Sequence, residues 1–274
     1  MPNNIHPSAI IEDSVQLGDN ITISPFCHIR GNVTIGDGCT LKSHVVIGGD
    51  TKIGENNIFY PFCNIGDTPQ DLKFENEKSL LEIGNNNVIR ENVTIHSGTT
   101  IGNKYSSRKN LTKVGNNCMF MVGSHIAHDC IIEDNVILAN NATLAGHVYI
   151  GKHTIIGGLS AIKQFIRVGP HAIIGGMSGV ESDVIPYALV MGERANLAGI
   201  NLVGLKRRNF SRDDINNIKQ AYEILFNSSL DGNFASKVDE ISKTFTNDKN
   251  IETITQFISQ GANNPICKPK NYNT

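Results

Sequence analysis

The amino-acid sequence carries a six-residue beat. From Ile5 an aliphatic or aromatic residue falls on every sixth position through Ile65. The beat returns at Ile83, Ile89, Ile95 and Ile101, then runs unbroken from Val114 to Val180. A period of six matches neither the strand period of about 2 nor the helix period of about 3.6. A short fixed period implies stacked repeats that share one continuous core. Three sixes make a triangular coil of eighteen residues. Each side is a short parallel strand, and each corner is a turn marked by pairs such as Gly18-Asp19, Gly36-Asp37, Gly54-Glu55 and Gly115-Asn116. Coils stacked at about 4.8 Å, roughly ten of them, give a prism about 50 Å long.

The expected fold is therefore all-β, a left-handed parallel β-helix over residues 1–186. Its handedness is that of the hexapeptide-repeat class. Composition agrees: 26 glycines and no tryptophan suit a repetitive scaffold with small interior residues. A net charge of -2 argues against bulk nucleic-acid binding. No window of about 20 apolar residues suggests a membrane helix, and MPNNIHPSAI has no signal-peptide pattern, so the cytoplasm is expected. Cys27, Cys39, Cys63, Cys118 and Cys130 all sit four residues after a beat position, in a slot shared with Val15, Ala142 and Ser160. They read as buried free thiols, because no spacing suggests a disulfide framework or a zinc knuckle.

Two segments break the beat. Residues 67–82 place Asp71 and Glu77 where aliphatics belong, and residues 102–113 lengthen one interval to thirteen. Both read as projecting loops, the usual carriers of binding groups on a rigid scaffold. Residues 187–204 look irregular. A helical C-terminal domain (187–274) follows, with a capping box at Ser211 and Asp214 and further helices over 233–246 and 250–260. The tail after Gly261 reads as a poorly constrained end. Flat prism sides with outward Met119, Met121, Ile137 and Tyr149 suggest self-association, and a homotrimer in a prism of this class.

From Val114 to Val180 no insertion occurs, so residues eighteen apart lie one above another. His128, Gly146 and Gln164 form one column; Asp129, His147 and Phe165 form the next, with His125 at the preceding corner. Histidine, with an ordinary pKa of about 6.5, is the natural general base at neutral pH. Glycine above it leaves room and an approachable N–H. No nucleophile elbow accompanies the group, which favours direct transfer over a covalent intermediate. A zinc site built from His96, His125, His128 and His147 is an alternative. The basic run Lys206, Arg207, Arg208 with Arg212, and the basic loop with Lys104, Arg108, Lys109 and Lys113, suit diphosphate or an acidic protein partner.

Six stretches carry a family resemblance: PQDLKF (69–74), VTIHSGT (93–99), HIAHDC (125–130), ILANNATLAGHV (137–148), GG-SAIKQF (157–165) and NLVGLKRRNFSR (201–212). In this order they resemble the acyl-carrier-protein-dependent UDP-N-acetylglucosamine 3-O-acyltransferases of lipid A biosynthesis, over essentially the whole chain. The resemblance implies a catalytic role for His128 as base, Asp129 as its orienting acid and Gly146 as an oxyanion donor. It implies substrate contacts for Gln70, Asp71, Lys73, His96, His125, His147, Lys163 and Gln164, and nucleotide, phosphate or carrier contacts for Asn201, Arg207 and Arg208. Gly176 matches the position that limits acyl length and resembles the long-chain versions. The implied donor is a carrier-bound acyl thioester, with no cofactor, no metal, no nucleic acid and no stable membrane insertion.

Two positions depart from the family pattern. Lys163 replaces a histidine before Gln164, and Val203 replaces a glutamate two residues after Asn201. Both fall in the sugar and nucleotide region and bear on the choice between N-acetyl and 3-amino sugar. The competing expectations are an acyl-CoA-dependent transferase on the same scaffold and a zinc carbonic anhydrase of the hexapeptide class.

Overall fold

The computed structural model describes residues 2–106, 108–227, 233–261 and 264–270. Three sheets of eleven, nine and eight strands, parallel except for the last strand of the eleven, form the sides of a left-handed β-helix, here named faces A, B and C in that order. On face B, His125 pairs with Thr143 and Thr143 with Ala161, which is the eighteen-residue coil of the sequence. Beat residues such as Ile29, Leu41, Ile65, Phe120, Leu144 and Ile156 are fully buried. Burial of such side chains contributes about 1.5–3 kcal/mol each, offset by the entropy of ordering the chain. Ile5 is 40% exposed on the edge strand of face A among the described residues.

The corners have a different cause from the expected one. The residue after the pairs Gly18-Asp19, Gly54-Glu55 and Gly115-Asn116 takes the left-handed conformation: Asn20, Asn56 and Asn117 have φ of 56 to 58°. Asparagine tolerates that region better than most residues. The glycine of the pair serves close approach instead. A Cβ on Gly18 would sit 2.2 Å from Asp37 Oδ1, and one on Gly36 2.8 Å from the Gly54 carbonyl carbon.

All six cysteines are free and buried. In the same slot Asn57 and Asn87, both fully buried, form a ladder. Asn57 Nδ2 donates to the Gly54 and Gly84 carbonyls, and its Oδ1 accepts from Asn87. Asn87 Oδ1 in turn accepts from the Cys118 N–H. Each buried amide is thereby satisfied, as interior polar groups must be.

Strands bound the two loops differently from the beat, narrowing the first and starting the second earlier. The first loop lies between Asn64–Asp67 and Leu80–Ile83, the second between Thr94–His96 and Leu111–Val114. Ile101, a beat position, is 55% exposed because it belongs to the second loop. Tyr149 is not a free outward group. It is half-buried on face C, gives its hydroxyl to Glu133 at 2.7 Å and lies beside Tyr105 of that loop. Met119, Met121 and Ile137 are half-buried.

Residues 187–204 are not irregular. Ala188–Met191 continues face A in parallel, and Asn196–Ile200 turns back antiparallel on it. Helix α1 (Leu202–Arg207) follows, capped by Asn201, so the LKRR run lies on a helix of its own. Helices α2 (Arg212–Phe226), α3 (Phe234–Thr244) and α4 (Lys249–Gln260) follow, and α2 opens with the expected Ser211/Asp214 capping box. The tail is also tied down within its described part. Asp183 exchanges backbone hydrogen bonds with Pro265 and Cys267, and Leu197 donates to Lys268; residues 262–263 and 271–274 lie outside the described residues. Arg167, 2% exposed, joins these parts: it pairs with Asp183 at 2.6 Å, donates to the Phe257 carbonyl and lies 4.0 Å over the Phe257 ring. No described helix is long and apolar enough to cross a membrane.

Candidate active site

His128 and Asp129 occupy the corner between faces B and C. The strand His125–Ile126 leads into it, and Asp129 turns it with φ +59°. His128 is 3% exposed and Asp129 fully buried. His128 Nδ1 lies 2.8 Å from Asp129 Oδ2. Asp129 Oδ1 accepts the Thr99 N–H at 2.8 Å, and Oδ2 accepts the Thr99 hydroxyl at 2.7 Å. With the carboxylate acting as acceptor throughout, Nδ1 carries the hydrogen and Nε2 keeps its lone pair.

Gly146 lies one coil above. A Cβ there would meet His128 Cε1 at 2.5 Å and Nε2 at 2.6 Å, so the imidazole occupies the space that only glycine leaves. No acceptor among the described residues engages the Gly146 N–H. His147 follows with φ +63°, its ring stacked on Phe165 at 4.4 Å and edge-on to His128 at 5.0 Å. Its Nδ1 donates to the Gly102 carbonyl at 3.0 Å.

His125 lies in a strand rather than at a corner, with Nδ1 2.7 Å from the Thr94 hydroxyl. Its ring meets His96 edge-on at 4.9 Å. His96 is buried, with no partner for Nδ1 among the described residues. Burial pushes His125 down to about 4, helped by His96 and His128, and it lowers His96 as well. His147 is also lowered by burial, against the opposing pull of Asp129. Burial thus favours the neutral form of all three imidazoles. At the far corner, burial brings His171 to about 3.

An acid-stability prediction follows from these depressed values. The unfolded chain binds more protons than the folded one between the folded values and about 6.5. Stability is therefore full above about pH 6.5 and falls as acid carries the protein toward pH 4 and below. Replacing His125 with Gln is expected to flatten this slope, which urea unfolding at a series of pH values will measure. An unchanged slope would remove His125 from the acid response.

The expected site residues divide among the corners. His96, His125, His128, Asp129, Gly146 and His147 converge at the B/C corner, with Gln164 exposed above Gly146 in the same column. Asp71 is close enough for its charge to act on His147, and its carboxylate accepts the Lys73 N–H at 3.0 Å within the first loop. Gln70, Lys73 and Lys163 are exposed. Asn201, Arg207 and Arg208 are not at this corner. Asn201 is buried, donates to the His171 carbonyl at 2.8 Å and accepts from Gly204, so it caps α1. Arg208 donates to the His153 carbonyl at 2.8 Å, beside the stacked His153, His171 and Tyr187 of the corner between faces C and A. Arg207 and Val203 are exposed on α1. Gly176 is exposed at the third corner, with Gly158 O the nearest atom to a Cβ, at 3.4 Å.

Among the described residues, donor atoms of His128, Asp129 and His147 fall within 4.8 Å of one another, while His96 and His125 of the zinc alternative lie outside that group. Sequence reasoning missed Thr99, Gly102, Asn103 and Thr112. Asn103 Nδ2 donates to the carbonyls of Asp129 and His147, and Asp129 N donates to Thr112 Oγ1. Only Thr99 had a signal, as the last residue of VTIHSGT. The second loop, expected to meet a partner, turns its first half inward to the corner.

Known proteins match this architecture closely. A family profile described as Udp N-acetylglucosamine O-acyltransferase, Domain 2, matches residues 183–267, and a bacterial transferase hexapeptide profile matches 14–49, 32–67 and 111–146. The acyl-[acyl-carrier-protein]–UDP-N-acetylglucosamine O-acyltransferase of Campylobacter concisus is 37% identical over 93% of this chain and 94% of its own. The UDP-N-acetylglucosamine O-acyltransferase (LpxA) of Moraxella catarrhalis is 38% identical, covers 96% of this chain and 99% of its own, and superposes with a TM-score of 0.90. The UDP-N-acetylglucosamine acyltransferase of Arabidopsis is 34% identical over 97% of this chain and 98% of its own, with a TM-score of 0.86. With more than nine-tenths of this chain and of these relatives matched, the chain belongs to the acyl-[acyl-carrier-protein]–UDP-N-acetylglucosamine O-acyltransferase family.

Proposed function

We propose that the protein transfers a 3-hydroxyacyl chain from acyl carrier protein to the glucosamine 3-position of UDP-N-acetylglucosamine, or of its 3-amino analogue, in lipid A biosynthesis. One observation carries the chemistry: Asp129 holds His128 by Nδ1, and the Cε1–Nε2 edge lies against Gly146. His128 Nε2 takes the proton of the sugar 3-hydroxyl as that oxygen attacks the thioester carbonyl. The Gly146 N–H meets the developing oxyanion, the kind of fixed dipole that supplies much of catalysis in acyl transfer. Collapse of the tetrahedral intermediate expels the carrier thiolate, which takes back the proton from the imidazolium. The products are the sugar ester and the carrier thiol, with no covalent enzyme intermediate.

A homotrimer fits this reading. The single chain leaves Asn201, Arg207 and Arg208 one corner away from His128. A neighbouring copy that brought its C/A corner to this B/C corner would complete a nucleotide-sugar site. The third corner carries exposed Phe26, Phe62, Leu159 and Met177, apolar groups suited to meeting at a common axis. Gly176 at that corner limits acyl length in the same arrangement.

The test is an acyl-transfer assay. UDP-N-acetylglucosamine and its 3-amino analogue are offered with 3-hydroxyacyl chains of several lengths, carried by acyl carrier protein or by coenzyme A. Carrier-dependent product at the 3-position is expected. Transfer from coenzyme A alone, or none from either donor, would overturn the reading.

A further inference from the structure

The second loop does more than connect two strands. Thr99 is 2% exposed, yet both of its polar hydrogens are directed at one carboxylate, its N–H at Asp129 Oδ1 and its hydroxyl at Oδ2. Oδ2 is thus shared between the Thr99 hydroxyl and His128 Nδ1. Four residues on, Asn103 is 6% exposed and its Nδ2 bridges the Asp129 and His147 carbonyls, at 2.9 Å each. Its Oδ1 accepts the Tyr105 N–H, which fixes the orientation of the amide. The Gly102 carbonyl holds His147 Nδ1.

We infer that Thr99 is a positioning residue for the proposed acyl transfer, setting the rotation of the Asp129 carboxylate, with Asn103 holding the backbone of the same corner. The inference rests on the function proposed above. A buried carboxylate with one free oxygen is costly and can turn toward another donor. Two donors from a single residue remove that freedom, so Oδ2 faces Nδ1. The hydrogen on His128 is then confined to Nδ1, and the lone pair on Nε2 faces the substrate. A partner of this kind acts through the groups it orients, and losing it commonly costs about 10–100-fold where such partners have been removed from metal ligands.

Thr99→Val keeps the shape and the N–H but removes the hydroxyl; Thr99→Ser restores it. In the full chain, Thr99→Val is expected to lower kcat by about tenfold or more, with KM for UDP-N-acetylglucosamine within about twofold of the wild type. Thr99→Ser is expected to recover most of the rate. Nitrogen-15 NMR of histidine-labelled protein gives a readout independent of turnover. The His128 ring is expected as a single Nδ1–H tautomer in the wild type and Thr99→Ser, and as a mixture in Thr99→Val. Wild-type kcat with an unmixed tautomer in Thr99→Val would overturn the inference. If the wild type transfers no acyl group, the functional reading fails while the ring spectrum still decides the role of Thr99. Should Thr99→Val not fold, Thr99→Ala is read in the same two measurements.

Discussion

Replacing His128 with Ala is expected to lower acyl transfer by at least about 10²–10⁴-fold, the range of a lost general base. The fold is expected to persist. His128 sits at a corner, outside the ladder of beat residues that fills the prism, and Asp129 keeps its two hydrogen bonds from Thr99. Gly146 above gains space and loses no partner. Rates at saturating carrier-bound acyl donor and UDP-sugar will measure the effect, alongside circular dichroism and thermal unfolding. An active, folded variant would take the proton-transfer role away from His128. A variant that loses both activity and fold would show that the corner needs the imidazole for structure.

Arg167→Met is expected to produce the largest loss of stability, about 3–5 kcal/mol, because it strands a buried charge. Asp183 is fully buried, and its Oδ2 receives both Nε and Nη2 of Arg167. The same guanidinium satisfies the Phe257 carbonyl at the end of α4. Gly261 is required beside it, since a Cβ there would overlap Arg167 Nη2. The pair therefore ties the last coils of face C to α4 and to residues 264–267. Combining Arg167→Met with Asp183→Asn is expected to recover part of the loss, because the stranded charge is gone and the carboxamide still accepts the residue 167 N–H. Urea unfolding midpoints of the two variants against the wild type will check both values. Equal midpoints for wild type and Arg167→Met would mean that helix packing alone holds the C-terminal part.

These two residues differ in how far the sequence announces them. His128 stands in a run with no insertion, so an eighteen-residue ruler sets Gly146 above it and Gln164 above that. Arg167 stands on the same ruler, but its partners are Asp183 and Phe257, and nothing periodic links a coil to a helix ninety residues on. Asn103 was missed for a related reason: it lies in the insertion that breaks the ruler, so its number does not set its height along the prism. Thr99 precedes that insertion, but its partner Asp129 lies thirty residues on, beyond it. Helix α1 was missed because a six-residue helix with one buried leucine has no apolar stripe to read.

The sequence by itself determined the coil, the inward beat, the buried free thiols, the three longer C-terminal helices and the alignment of His128 with Gly146. These follow from local repetition, where each residue's environment is set by its place in the period. The tertiary structure decided which groups complete the corner. A loop returns to clamp Asp129, a glycine faces an imidazole edge, and the nucleotide-type residues stand on a different corner of the same chain. Those outcomes depend on where insertions and helices fold back against the prism, and contacts of that kind are fixed by packing across long stretches of chain rather than by any repeat within it.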